Sequence, residues 1–589
     1  MAREISGSAI YTRACQIPTP PANYSERCRP MNVGQVTAEI MKREGTDFLL
    51  AYPLNALTEF CASAGIRPII VRQERVGIHM ADAVSRLSQG DKVGVFCCQS
   101  GPGVENAFGA IAQAYSEGVP LIFMPGGPSR REAWVRPGFN ATLNYQHITK
   151  QAETVNTPDQ IIPALRRAYT MARNGRPGPV LLEIPSEMWN LEVPNSGNID
   201  YKPTRRIISA PSHADVDAAA AALIAAKRPL IYAGQGVHYA RAWPELKAVV
   251  ELLEAPITTS LEGKSSFPET HELSLGSGGV AMPKAVFQRV QDSDVVFGAG
   301  ASFTATGFGI RFPTADKTFI HNTIDPMDIN KNIPTEYPMV GDSKVALQML
   351  HDAVKDRIKK PRGLRADVAK WIRSQNDPWM NDWMPRLTSE ASPLSPYRVI
   401  HDLMQVADMP NTIITHDAGS PRDELSPFWK SVAPHSYIGW GKSTQLGYGL
   451  GLALGAKLAH PDKLCMNMWG DAAIGMTGMD FETAVRNHIP IMSILFNNHA
   501  MAMEFKAMAV SREKYHSTDI SGNYSDWAKA LGGYSERVTN AAEITHALLR
   551  GIAATKEGKP VLLEFMTTQD KVYSTWETGY QGAIQQKKS

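Results

Sequence analysis

Cysteine is scarce. The six residues Cys15, Cys28, Cys61, Cys97, Cys98 and Cys465 are scattered through 589, which excludes a disulfide framework, and with no C-x-x-C pair there is no zinc-site spacing. An excess of one charge is missing too. Lys and Arg number 60 against 58 Asp and Glu, a formal net charge of +2, so nothing points to nucleic acid or an anionic membrane as a partner. No apolar run reaches the roughly 18 residues that would span a bilayer. The opening MAREISGSAIYTRACQIPTPP lacks the charged-then-apolar layout of a secretory signal. These absences predict a cytoplasmic chain without membrane or nucleic-acid partners. What remains is an ordinary globular composition, 43% hydrophobic and 20% charged, in a length that suits about three or four domains.

Short apolar runs alternate with helical patterns, the signature of an α/β chain built from doubly wound parallel sheets. Residues 1–31 read as an N-terminal extension. A first domain spans 32–193, with strands predicted at 68–71, 93–98, 121–125 and 180–185 and helices near 74–87 and 104–116. The linker-like stretch 194–213 leads to a middle domain, 214–358, with strands at 230–233, 295–298 and 319–324. A polar stretch over 359–396 reads as a separator before a third domain, 390–566, whose strands are predicted at 412–416, 464–469, 491–496 and 561–565. Residues 567–589 form a tail that could fold over a site as a lid. An internal repeat joins the first and third domains: IIPALRRAYTMARNGRPGPVLLEIP (161–185) matches ITHALLRGIAATKEGKPVLLEFM (544–566). Each is a helix, a basic or glycine turn and the strand PVLLE, which predicts a duplicated fold.

The strongest local signal is Gly470-Asp471-Ala472 at the end of the apolar strand LCMNMW, followed after 24 residues by Asn497-Asn498 at the end of IPIMSILF. A helix predicted at 479–486 connects them. A right-handed crossover brings two such strand ends together, where open α/β sheets bind ligands. An Asp and an Asn there offer hard oxygens suited to Mg²⁺, and a helix N-terminus favours a diphosphate. By spacing alone the same residues also suit ordinary turns.

The segment GDAAIGMTGMDFETAVRNHIPIMSILFNN resembles the thiamine-diphosphate motif, a GDG followed about two dozen residues later by NN. The similarity runs from about 32 to 566 and looks most like the acetolactate synthase group. Its other blocks are SGPGVENAFGAIAQAYSEGVPLIFMPGG (100–127), GKSSFPETHELSLGSGG (263–279), DPMDINKN (325–332) and GYGLGLALGAKLAHPDK (447–463). The resemblance implies a pyrimidine-binding first domain, a middle domain and a diphosphate-binding third domain. It implies that Asp471, Asn498 and the Ala500 carbonyl hold Mg²⁺, and that Gly470, Ala472, Gly419 and Ser420 meet the diphosphate. The family's usual Gln-His after Gly-Ser is here Pro421-Arg422. Leu446 matches the apolar prop that bends the cofactor; on its own it reads as a core leucine. Glu74, in VRQERVGIHMADAVSR, reads alone as a helix-start stabiliser. By the resemblance it faces the pyrimidine N1′ and promotes formation of the ylid. Because Glu74 and Asp471 lie in different domains, the family arrangement implies at least a homodimer, often a homotetramer.

The implied activity makes or breaks a C–C bond next to a carbonyl through an ylid and an enamine, on a 2-oxo acid or a related small molecule. The chain departs from the group after NN: NNHAMAMEFKAMAV places Glu504 near an aliphatic position and Ala507 where a Trp is expected. A carboxylate there could relay protons and would repel a second anionic keto acid, which keeps 2-hydroxyacyl-CoA lyase and oxalyl-CoA decarboxylase readings open. A catalytically dead regulatory relative is a further alternative, opposed by the presence of Glu74, Asp471 and Asn498. The middle domain carries no specific motif for FAD or for the ADP part of coenzyme A. Met501, Met503 and Phe505 are pocket or core candidates. His79, His147 and His416 are candidate polar pocket members or structural residues, and Arg130 and Arg131 are candidate anion contacts or loop residues.

Overall fold

A computed structural model describes residues 30–53, 55–569 and 571–576; most of the N-terminal extension and of the tail lies outside them. The described chain folds around three fully parallel sheets. The first is built from β1 (Phe48–Ala51), β2 (Arg67–Ile70), β3 (Gly94–Cys97), β4 (Leu121–Phe123), β5 (Gly126–Gly127), β6 (Gln151–Thr154) and β7 (Pro179–Pro185). Its order is β2-β1-β3-β4-β7-β5, with β6 also paired to β7. The middle sheet contains β8 (Pro229–Ala233), β9 (Ile257–Thr259), β10 (Ser274–Ser277), β11 (Val295–Ala299), β12 (Thr318–Thr323) and β13 (Tyr337–Val340), in the order β10-β9-β8-β11-β12-β13. The third contains β14 (Thr412–His416), β15 (Tyr437–Ile438), β16 (Leu464–Gly470), β17 (Met492–Asn497), β18 (Tyr534–Val538) and β19 (Val561–Met566), in the order β15-β14-β16-β17-β19-β18.

With the two-residue β5 set aside, the first and third sheets share one order: second, first, third, fourth, sixth, fifth. The repeated PVLLE segments, β7 and β19, take the same place in it, each preceded by its helix, Ile161–Arg173 and Ile544–Lys556. Both strands are near-continuous apolar runs because a parallel sheet in an α/β domain is covered on both faces. The middle sheet has the reversal of a doubly wound domain, between β8 and β11.

The structure departs from the sequence expectations in three places. The stretch 359–396 is no mere separator: it contains the 23-residue helix Arg365–Leu387, with Trp379, Trp383 and Leu387 buried. Pro378 and Pro385 lie inside that helix and mask it in sequence, because proline ordinarily ends one. The connection between β16 and β17 is also helical from its first residue, Asp471–Thr477 and then Phe481–Asn487, rather than only over 479–486. The edge strands β6, β13, β15 and β18 were not predicted, nor was the four-residue inner strand β1; they are short or half-polar and carry a weaker apolar signal. Among the described residues no helix is long and apolar enough to cross a membrane.

The first and third domains meet through the helices Glu74–Leu87 and Tyr448–Ala459. The second is rich in glycine for a physical reason. A Cβ on Gly451 would lie 2.4 Å from the His79 Cβ, and one on Gly455 would lie 2.2 Å from the Met80 carbonyl oxygen. Twelve of the fourteen residues of Glu74–Leu87 are buried as a result. The polar content of this contact is one buried network: Arg86 Nε donates to Asp82 Oδ1 (2.6 Å), Tyr448 Oη donates to Asp82, and Arg86 Nη1 donates to the Gly439 carbonyl (2.8 Å). Arg86→Ala removes the cation that compensates buried Asp82, a loss of about 3–5 kcal/mol. Chemical denaturation should show it as a lower midpoint at an unchanged slope.

Candidate active site

Three adjacent parallel strands, β14, β16 and β17, end on the same side of the third sheet, and each end carries predicted site residues. After β14 the chain runs Asp417-Ala418-Gly419-Ser420 and enters the helix Ser420–Leu425. Gly419 has φ +84, and a Cβ there would sit 3.4 Å from Met503 Sδ. After β16, Gly470 caps the helix that opens with Asp471. After β17, Asn497 is followed by Asn498, His499 and Ala500. The N–H of Ala500 donates to Asp471 Oδ2 (3.2 Å) and to Asn498 Oδ1 (3.0 Å), so these two oxygens converge on one point. Asp471 Oδ2 also accepts from the Asn498 N–H (3.1 Å), and Oδ1 from the Ala472 N–H (3.0 Å).

Burial raises the Asp471 carboxyl above its ordinary range, against the pull of the Asn498, Ala500 and Ala472 N–H groups. Among the described residues no Lys, Arg or His forms an ion pair with it. A buried carboxylate held by backbone dipoles alone, with an amide oxygen beside it, suits a divalent cation with hard-oxygen preference. Among the described residues no group of three or more His, Cys, Asp or Glu could hold a metal; the oxygens brought together here are one carboxylate and one amide oxygen. A Cβ on Gly470 would have only the Phe496 carbonyl at 4.0 Å, and one on Gly475 would meet nothing within 4 Å. Space for an anion is therefore open beside this turn.

Leu446 is half-buried against the core shared by the first and third domains. Its neighbours are pinned on both sides: the Gln445 N–H donates to Gln113 Oε1 (3.0 Å), and the Gly447 N–H to Asp417 Oδ1 (2.9 Å). Thr477 Oγ1 donates to the Gly447 carbonyl (2.8 Å). Asp417, which sequence reasoning missed, is wholly buried and also accepts from the N–H groups of Gly449 (2.9 Å) and Ala418 (2.7 Å). Burial lifts it to about 6 against those donors. No motif marks it in the sequence; its role appears only where the β14 end meets the Gly447 turn.

Glu74 opens its helix and is buried, with Asn106 Nδ2 donating to Oε2 at 3.3 Å. Burial raises its carboxyl; its backbone N–H and Asn106 oppose the shift. Glu504 lies exposed in the 3₁₀ turn Ala502–Glu504, with Met501 and Met503 half-exposed beside it. The histidine and arginine candidates separate cleanly. His79 is buried edge-on to Tyr448, its Nε2 3.1 Å from Gln445 Oε1, and burial lowers it to about 3. His416 is buried, stacked 3.9 Å from Trp440, and likewise lowered to about 3. Both are neutral core residues, whereas His147 is exposed. Arg130 is paired with Glu187 at 2.8 Å. Arg422, in place of the family's usual polar pair, is buried, bonded to Asp423 (2.9 and 2.8 Å) and stacked 4.6 Å from the Phe308 ring centroid. The described part of the tail crosses this site: Gln569 Nε2 donates to the Asn498 carbonyl (2.9 Å), and Tyr573 Oη lies 2.8 Å from Ser420 Oγ.

A separate cavity of about 980 Å³ opens over the carboxyl ends of β8, β9, β11 and β12, where the middle sheet reverses order. Arg173, Arg176, Lys202 and Arg205 reach it from the first domain and the linker. The glycines here are packing residues first: a Cβ on Gly234 would lie 2.5 Å from the Gly300 carbonyl oxygen, and Gly300 itself has φ +58.

Three domain families match along the chain. They are the thiamine pyrophosphate enzyme N-terminal TPP binding domain over residues 31–152, the central domain over 216–350 and the C-terminal TPP binding domain over 417–565. A probable acetolactate synthase large subunit of Methanococcus aeolicus is 29% identical over 91% of this chain and 92% of its own length. One from Methanocaldococcus jannaschii is 28% identical over the same shares. The acetolactate synthase isozyme 3 large subunit of Escherichia coli is 26% identical over 88% and 92%. The chain therefore belongs to the thiamine-pyrophosphate-dependent enzymes and is acetolactate synthase-like.

Proposed function

We propose that this enzyme binds thiamine diphosphate with Mg²⁺ and makes or breaks a C–C bond next to a carbonyl, as a decarboxylase, carboligase or lyase acting on 2-oxo acids or related compounds. The observation that carries the reading is the convergence of Asp471 and Asn498 at neighbouring strand ends, with a buried carboxylate that pairs with no Lys, Arg or His among the described residues. Asp471, Asn498 and the Ala500 carbonyl would hold Mg²⁺. Gly470, Ala472, Gly419 and Ser420 would line the diphosphate, and Leu446 would support the bent cofactor. When bound, thiamine diphosphate supplies a carbon nucleophile and an electron sink. The chain's own contribution is geometry and one proton. Glu74 keeps a carboxyl whose burial favours the protonated form, which suits a group that shares a proton with a ring nitrogen.

Glu74 belongs to the first domain and Asp471 to the third, and the reading pairs them across two copies of the chain, in a homodimer or a homotetramer of such dimers. Apolar side chains left in solvent flank both: Phe108 and Tyr115 on the helix bearing Asn106, Met476 and Met479 just after Asp471. Such patches mark surfaces that a partner covers. Glu504 stands beside Met503, which lies against Gly419, in keeping with a role near the substrate. The middle-domain cavity, at a strand-order reversal, suits a nucleotide portion such as that of FAD or the ADP of coenzyme A.

Calorimetric titration should show thiamine diphosphate binding that requires Mg²⁺ and is lost in Asp471→Ala; absence of binding to the wild type overturns the reading. Products from pyruvate, benzoylformate, oxalyl-CoA and a 2-hydroxyacyl-CoA, identified by mass, then fix the substrate class, and activity on none favours a regulatory relative. Glu74→Gln should retain the cofactor while turnover falls about 10²–10⁴-fold. Because the folded-state carboxyl is raised, its stabilising contribution is full below the ordinary carboxylate range and is lost as pH rises through the folded value. Glu74→Gln should therefore unfold at a higher temperature than wild type at neutral pH, and that advantage should vanish near pH 4. For the cavity, purified protein should carry flavin absorbance, or its melting temperature should rise with ADP; neither response overturns the nucleotide assignment.

A further inference from the structure

The repeated PVLLE segment leaves one residue unexplained in each half, the terminal glutamate. In the third sheet this is Glu564, wholly buried on β19 and directly opposite Arg537 of β18. Arg537 Nε donates to Oε2 (2.9 Å) and Nη2 to Oε1 (3.3 Å). A tie between an edge strand and its neighbour would need no more than this. Glu564 does more: Oε1 accepts from Asn497 Nδ2 at 2.7 Å, across the sheet on β17, and Oε2 accepts from the Ser525 N–H at 2.9 Å. Glu564 pairs in register with Leu495, so Asn497, two residues further on, projects from the same face.

Asn497 passes this constraint on. Its Oδ1 accepts from the His499 N–H at 3.0 Å, and His499 has φ +55, a left-handed conformation that a non-glycine residue keeps only when its surroundings impose it. That turn is what brings Asn498 Oδ1 and Ala500 to Asp471. The first sheet supplies the contrast. Its matching glutamate, Glu183, stands opposite Thr154 and accepts from its hydroxyl at 3.0 Å. The segment it faces is the two-residue strand β5, Gly126-Gly127, and a Cβ on Gly127 would lie 2.9 Å from Glu183 Cγ. The half without the Asp471–Asn498 pair thus has neither the asparagine nor the arginine.

We infer that Glu564, charge-balanced by Arg537, is a positioning residue for the metal-bearing turn: it fixes Asn497, which caps His499 and so sets the geometry of Asn498 and Ala500. The inference rests on the proposed Mg²⁺ role of Asp471 and Asn498. Groups that orient metal ligands from behind typically change metal affinity about 10–100-fold when removed.

The test is a Mg²⁺ titration at fixed thiamine diphosphate, read by calorimetry and intrinsic fluorescence, with thermal unfolding of each cofactor-free protein measured alongside. Asn497→Ala leaves the Glu564–Arg537 pair intact and should raise the Mg²⁺ needed for half-saturation about 10–100-fold, with kcat at saturating Mg²⁺ within about threefold of wild type. Glu564→Gln, which can still accept from Asn497, should shift it in the same direction by less. The double variant should be no worse than Asn497→Ala alone, because Glu564 acts through Asn497. Unchanged Mg²⁺ affinity in Asn497→Ala overturns the inference, as do fully additive shifts in the double variant. Should Glu564→Gln fail to fold, Asn497→Ala decides by itself. A wild type that binds no Mg²⁺ and thiamine diphosphate overturns the functional reading and this inference together; binding by wild type with unaltered variants overturns this inference alone.

Discussion

The close approach of the helices Glu74–Leu87 and Tyr448–Ala459 is the constraint on which the rest of the molecule depends. Gly451 and Gly455 remove the side chains that would hold these helices apart, and the Asp82–Arg86–Tyr448 network gives the contact its polar specificity. Each helix begins at a candidate site residue or just after one. Glu74 is the first residue of one, and Leu446 and Gly447 immediately precede the other. One packing interface therefore joins two sheets of the same topology and sets the start of the helix headed by Glu74 and of the Leu446 turn together.

Buried carboxylates are the recurring material of the site, and their surroundings separate their roles. Asp417 is spent on structure: three backbone N–H groups hold it to the Gly447 turn. Glu564 is compensated by Arg537 and acts on the backbone of the next strand end. Glu74 meets its own backbone N–H and the Asn106 side-chain amide in an environment whose burial raises its carboxyl. Of the four, Asp471 combines burial, backbone donors and a neighbouring amide oxygen with no cationic partner among the described residues. Burying charge is costly unless it is paired, so the difference among these four acids is a difference in what each still lacks.

Much of this was legible in the sequence. Apolar runs bounded by glycine and asparagine located most central strands, because strands of a parallel sheet are hydrophobic on both faces. The PVLLE repeat anticipated the shared strand order of the first and third sheets. The helix Arg365–Leu387 was hidden by its two prolines and polar exposed face, and its buried Trp379 and Trp383 are paid for by contacts with distant elements rather than by local pattern. Edge strands escaped for a related reason: half-exposed segments such as β6 carry little apolar signal.

The site divides along the same line. The sequence by itself determined the strand-end residues, Gly470-Asp471 and Asn497-Asn498, since motif spacing reflects a strand–helix–strand unit whose parts are close in the chain. It also determined that Glu74 heads a helix. The tertiary structure alone decided which buried acids are structural, that Asp417 pins the Leu446 turn, that His79 and His416 are neutral core residues, and that the tail reaches Asn498 and Ser420. Those outcomes depend on desolvation and on contacts between residues hundreds of positions apart, and neither is encoded in local spacing.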